Sequence, residues 1–154
     1  MMNLQERQAT FNKAIACYRF GRTEESRHEL RRLVDDGSCD PKHLSFYGLV
    51  VATSEGKVME GLEFCERALT LDYYNPEMHL NLAHVYAAGG SRERAVHTLL
   101  RGLRLAPKDL RLHHEIRRLR PRSRPVVAFL RRSHPINKYL GMARYRLSKL
   151  FGAY

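Results

Sequence analysis

The 154-residue sequence repeats itself at a spacing of 34. Gly56, Gly61, Ala68, Leu69 and Leu71 stand 34 positions before Gly90, Ala95, Gly102, Leu103 and Leu105. A looser copy lies 35 positions further upstream, where Ala14, Gly21, Leu30 and Leu33 precede Leu49, Gly56, Cys65 and Ala68. The best-punctuated copy runs from Asn75 to Pro107. Asn75 is placed to cap a helix, Pro76 suits its first position, and Glu77 favours its positive end. Gly89 and Gly90 break that helix. Ser91 is placed to cap a second one, which Ala106–Pro107 stops. Leu82, Ala83 and Tyr86 recur at helical spacing in the first helix, as do Ala95, Leu99, Gly102 and Leu103 in the second.

A helix–turn–helix unit of this period resembles the tetratricopeptide (TPR) repeat family. In the unit 76–109 the family's small residue on the first helix matches Ala83, its Tyr matches Tyr86 and its turn glycine Gly90. Its small residue opening the second helix matches Ala95, its large apolar residue Leu99, its second small residue Gly102 and its closing proline Pro107. Unit 42–75 departs by having Gly48 before the small position and Tyr73 for the proline. The unit near 7–41 has Ser26 for alanine, Ser38 at the proline position and one extra residue. The resemblance implies an all-α fold, a short solenoid of three helical hairpins; the residues beyond it read as a capping helix over 110–120 and a basic amphipathic C-terminal helix. It implies a binding scaffold without naming what is bound.

Composition narrows the classes. A hydrophobic share of 44% is ordinary for a folded protein, which argues against disorder throughout. No apolar run approaches the roughly 20 residues needed to cross a bilayer. Glu6, Arg7 and Lys13 stand where a signal peptide would need an apolar core, so a cytoplasmic protein is expected. Cys17, Cys39 and Cys65 are odd in number and form no CxxC pair, which fits reduced thiols; Cys17 and Cys65 sit at helix positions that pack.

Charge is unevenly spread. Residues 1–109 hold 15 Lys/Arg and 15 Asp/Glu, whereas 110–154 hold 12 Lys/Arg and Glu115 alone, so the excess of +11 lies in the last 45 residues. A balanced module is joined to a strongly basic one.

In chain order, a helix is expected from about Leu4 to Phe20, and a second to about Val34, capped by Thr23. The next pair spans about 42–54 and 58–71, with Asp40–Pro41 at its start. Asp109 caps LRLHHEIRRLR, in which Leu112, Ile116 and Leu119 face one way and would cover the open end of the last hairpin, as a solenoid requires. Pro121 and Pro125 mark a linker. Val126–Leu130 is an apolar run that would bury against another surface, a second copy of the chain included. From Asn137, Leu140, Ala143, Leu147, Leu150, Phe151 and Tyr154 fall at three- and four-residue spacing among Lys138, Arg144, Arg146 and Lys149, the pattern of a basic amphipathic helix. The expected domains are 1–120 (the solenoid with its cap) and 121–154 (the basic linker and tail).

Catalysis finds no support. His113 and His114 are consecutive and point about 100° apart on a helix. His79 and His84 are five apart, also off one face. No HExxH, GxSxG, GxGxxG or phosphate-loop pattern occurs. No cofactor and no metal is expected.

In the family's layout the first helices of the hairpins line a concave groove. The positions concerned are Phe11, Asn12, Ile15 and Tyr18 in unit one, Phe46, Tyr47 and Val50 in unit two, and Asn81 and His84 in unit three. Tyr47, Asn81 and His84 are expected to be exposed; for Phe11 and Phe46, core packing is the alternative. Chaperone-binding members of the family hold a terminal carboxylate with Lys, Asn and Arg, but Ile15, Tyr47 and Glu77 stand at such places here. An apolar protein segment is the more natural ligand. Arg131, Arg132, Lys138, Arg144, Arg146 and Lys149 are the candidate contacts of the tail to an anionic membrane, nucleic acid or protein, with a solvated end as the bland alternative. The expected function is a non-enzymatic scaffold or adaptor that binds a protein segment in the groove and uses the tail for a second contact. A nucleic-acid- or membrane-associated protein and a secretion chaperone are the alternatives.

Overall fold

The computed structural model describes residues 2–37, 39–119, 135, 136, 138–140, 142 and 143. The chain divides into two units, Met1–Arg120 and Pro121–Tyr154. The first holds seven helices: α1 (Leu4–Arg19), α2 (Thr23–Asp35), α3 (Pro41–Ser54), α4 (Val58–Leu71), α5 (Pro76–Ala88), α6 (Arg92–Leu105) and α7 (Leu110–Leu119). In the second, the described residues are helical and exposed, Lys138 among them. The linker at 121–125, the run at 126–130, and Arg131, Arg132, Arg144, Arg146 and Lys149 lie outside the described residues. Among the described residues no helix is long and apolar enough to cross a membrane.

The odd-numbered helices start from side-chain caps. Asn3 forms a capping box with Glu6, Asp40 accepts from the Lys42 N–H, and Asn75 accepts from the Glu77 N–H. Asp109 accepts from the Arg111 N–H at 2.8 Å. Each cap satisfies a donor that the first turn leaves orphaned.

Two expected caps fail. Thr23 is the first residue of α2, after an Arg22 that makes no side-chain cap bond, and Ser91 makes none for α6. Closure of the preceding helix explains both. Gly21 and Gly90 take φ of +76°, and the next residue donates back five positions, Arg22 to the Cys17 carbonyl at 2.8 Å and Ser91 to the Tyr86 carbonyl at 2.9 Å. That is a Schellman turn, which binds the residue after glycine to the end of one helix before the next begins.

Helices pair as α1/α2, α3/α4 and α5/α6; the first hairpin packs on the second through α2 with α3, and the second on the third through both α3 and α4 with α5. Closest approach occurs inside the middle hairpin. A Cβ placed on Gly48 would lie 2.6 Å from the Gly61 carbonyl oxygen, and one on Gly61 would lie 2.6 Å from the Gly48 oxygen. Only hydrogen atoms fit there. Phe11, Ala14, Leu30, Leu33, Tyr47, Val50 and Val51 form the first core cluster. Cys17 and Cys65 are buried and Cys39 is exposed, all as free thiols.

Helix α7 closes the array as expected. Leu112 and Ile116 are buried with Ala83, Ala95 and Leu99, and Leu119 packs at the margin. It takes the place that the first helix of a fourth hairpin would occupy.

Candidate functional site

Helices α1, α3 and α5 carry the nine groove candidates, and the structure sorts them by cover. Asn12 is exposed, and Ile15, Tyr18, Phe46 and His84 are half-buried. Phe11, Tyr47, Val50 and Asn81 are buried. The expected exposure of Tyr47 and Asn81 is therefore corrected. Tyr47 is 4% exposed, with its ring edge-on to Phe64 at 4.8 Å. Asn81 is 7% exposed and donates its amide to the Ser45 hydroxyl at 2.8 Å. Helix α3 is walled by α2, α4 and α5, so a side chain one step off the groove stripe enters a neighbouring hairpin instead of solvent. Phe11 resolves the other way from a free contact: it is a core ring, tilted at 46° against His43 at 4.5 Å and edge-on to Phe46 at 5.9 Å.

What remains accessible is mostly apolar. Tyr18 meets Phe46 edge-on at 5.4 Å, joining α1 to α3. Ile15 packs on the same cluster. Beside them Asn12, Ile15, Ala16, Arg19 and Phe20 line a depression of about 420 Å³. Phe20 is 79% exposed. Asn12 accepts from the Gln8 amide at 3.0 Å, which leaves its own NH₂ for a ligand. The site thus offers half-covered rings, one amide and one cation, a set suited to a peptide side chain with its backbone and poor for bond-breaking chemistry. Among the described residues, no group of three or more His, Cys, Asp or Glu is placed to hold a metal.

His84 lies toward α7, where it feels the charges of Glu115 and Arg118. Those two form a pair at 2.8 Å. Neither was among the groove candidates read from the sequence, although Glu115 sits 34 positions after Asn81 and so shares its repeat position. Sequence reasoning also passed over His43, whose spacing from Phe11 gives no hint of the ring contact.

Burial holds the imidazoles of His43, His79 and His84 below the ordinary histidine value of 6.5. In the unfolded chain each returns to about 6.5. The unfolded state then binds more protons wherever pH lies between the folded and unfolded values, so stability is complete above 6.5 and declines as pH falls through it. Thermal melts at pH 7.5 and pH 5.5 should show a lower Tm at the acid end, with the drop reduced when His79 is replaced by glutamine. Equal Tm values would show that the folded protein protonates these rings without cost.

A sequence profile of the tetratricopeptide repeat family matches residues 52–118. Over those residues the chain carries tetratricopeptide repeats. Solved TPR structures share the fold. The O-GlcNAc transferase of Thermobaculum terrenum aligns at 24% identity and TM-score 0.67, covering 77% of this chain but 23% of its own. The chain thus spans about a quarter of that enzyme. The first TPR of Spaghetti (RPAP3), bound to an HSP90 peptide, aligns at 16% identity and TM-score 0.63, covering 77% and 93%. PcrH, in complex with the chaperone-binding region of PopD, aligns at 14% and TM-score 0.61, covering 77% and 88%. At these identities the likeness is one of fold. No curated protein sequence matches the chain.

Proposed function

We propose that this TPR protein is a non-enzymatic scaffold that holds an apolar segment of a partner protein against α1 and α3, in the cytoplasm. The half-covered Tyr18–Phe46 pair, with Ile15 beside it and the depression flanked by Asn12, Arg19 and Phe20, carries the reading. A solenoid end that met only water would leave no reason for Phe20 to stand out of the core. Support also comes from the fold neighbours whose structures contain a bound peptide or client segment. Ile15 occupies a place where a carboxylate clamp needs a polar or cationic group, and Tyr47 is buried, which favours an internal apolar segment over a chain terminus.

Residues 1–120 would act as the holder, and 121–154 would add a second, charge-driven contact. Those residues contain eight Lys/Arg and no Asp/Glu. Phosphate contacts by the tail would fade with salt, whereas apolar contacts of the groove would persist.

Selection of a random-peptide display library on the full-length protein tests this. Apolar sequences should emerge, and Ile15→Lys should weaken them about tenfold, equivalent to about 1.4 kcal/mol. Circular dichroism on the variant guards against unfolding. Selected peptides that bind the Ile15→Lys protein unchanged would remove the groove from the account.

A further inference from the structure

A second concave surface lies on the opposite side of the hairpins, where α4 and α6 flank α5. His79, Leu82 and Tyr86 make its floor, Glu66 and Tyr73 one wall and Arg101 the other, enclosing about 480 Å³. That is within the size range of ligand sites. Tyr74 extends the aromatic wall, being 80% exposed and edge-on to Tyr73 at 5.6 Å.

Three observations make this more than a crease between helices. His79 is fully buried, and its Nε2 donates to the Tyr73 carbonyl at 2.9 Å, which leaves Nδ1 as an acceptor without a partner. Such an acceptor is costly unless something donates to it. The second is charge. Arg94, Arg101 and Arg104 are exposed along one face of α6, and among the described residues none of them is in an ion pair. Residues 92–119 hold eight Lys/Arg against three Asp/Glu, whereas residues 2–91 hold ten against thirteen. Two of those three acids, Asp109 and Glu115, are already paired with Arg111 and Arg118. Third, Glu66 stands at the rim and accepts from the Tyr86 hydroxyl at 3.2 Å.

A solvated helix face would explain exposed arginines by themselves. It does not explain why Arg101 lines an aromatic-walled cleft with Arg94 close enough for its charge to act on Tyr86. We infer that this outer cleft docks an acidic protein segment carrying one aromatic or aliphatic anchor. The anchor lies over Leu82 between Tyr73 and Tyr86, and the flanking carboxylates meet Arg94, Arg101 and Arg104 in charge-assisted hydrogen bonds. Glu66 favours a peptide over nucleic acid: a rim carboxylate accepts a backbone N–H, a donor that a phosphodiester backbone does not carry. The chain's own 121–154, with eight cations and no acid, has the wrong sign to fill the site.

Fluorescence anisotropy on the full-length protein provides the test. The probe is a labelled peptide of aspartates and glutamates around one central phenylalanine. Its comparators carry lysines for the acids or serine for the phenylalanine, and a labelled single-stranded oligonucleotide of equal charge completes the set. The acidic phenylalanine peptide should bind most tightly. The double change R94E/R101E should weaken it more than tenfold, and Thr70→Trp, which fills the cleft without altering charge, should weaken it about as much. Thermal melts verify that both variants are folded. Ile15→Lys should leave this binding unchanged, which separates the outer cleft from the groove whatever the fate of the groove. A lysine peptide or oligonucleotide that binds equally well would overturn the inference. So would a Thr70→Trp protein with undiminished affinity, because the arginines would then act without the cleft.

Discussion

Gly48→Ala should destabilise the repeat region by about 3 kcal/mol, although helix propensity alone argues for a gain of about 1 kcal/mol. The two effects have opposite sign, which makes the experiment decisive. Gly48 lies within α3, and a methyl there would stand 2.6 Å from the Gly61 oxygen and 2.9 Å from the Cys65 sulfur. A flexible side chain could swing aside; the Gly61 carbonyl is backbone, tied into α4. The helices must therefore part, losing packing around Cys65 and Ala52 at the centre of the array. With a shift of about 4 °C for each kcal/mol in a domain of this size, the Tm should fall by about 12 °C. Gly61→Ala should behave alike, since its methyl would meet the Gly48 oxygen at 2.6 Å and Ala52 Cβ at 2.7 Å. A Tm at or above wild type would mean that α3 and α4 do not cross so closely.

Leu112→Asp should cause the next-largest effect, of a different kind. Leu112, on the inner face of α7, is fully buried in one cluster with Ala95 and Leu99. Losing a buried leucine costs about 2–5 kcal/mol before any charge is considered, and a buried unpaired carboxylate adds further cost. Helix α7 can escape that cost by undocking, because it packs on α6 and the adjoining margin of α5 while the hairpins hold one another. Undocking would bare the apolar face of α6. Trypsin should then cut rapidly at Arg111, Arg117 and Arg118, and size-exclusion chromatography should show self-association. A monomeric Leu112→Asp protein with wild-type resistance to trypsin would show that α7 is not the cap.

The period made the hairpins legible, because turn glycines, capping residues and small packing residues act locally and recur with the unit. Asp40, read only as the start of its unit, caps α3, and Asn75 and Asp109 cap as read. Ser91 did not, since a Schellman turn claims that residue's backbone and sequence alone does not reveal which of two adjoining helices a turn residue serves. Groove residues were harder. Tyr47 and Asn81 occupy the same repeat position, as do Val50 and His84. The first two are both buried, while Val50 is buried and His84 half-covered. Equivalent positions diverge because a complete hairpin follows Val50 whereas the single helix α7 follows His84, and cover by a neighbour is not written into the repeat itself. The outer cleft was invisible for the same reason: Glu66, His79 and Arg101 come from three helices whose spacing no single motif encodes.

The Asn81–Ser45 bond also bears on how such an array could lengthen. Ser45 corresponds to His79 one unit later. A gene duplication of 76–109 would set the copied asparagine opposite His79, whose unused Nδ1 is ready for its amide, whereas duplicating 42–75 would press a copied Tyr47 phenol toward Ser45. Growth is thus expected to be tolerated at the third hairpin and resisted at the second, and the melting temperatures of the two lengthened proteins would reveal any reversal of that order.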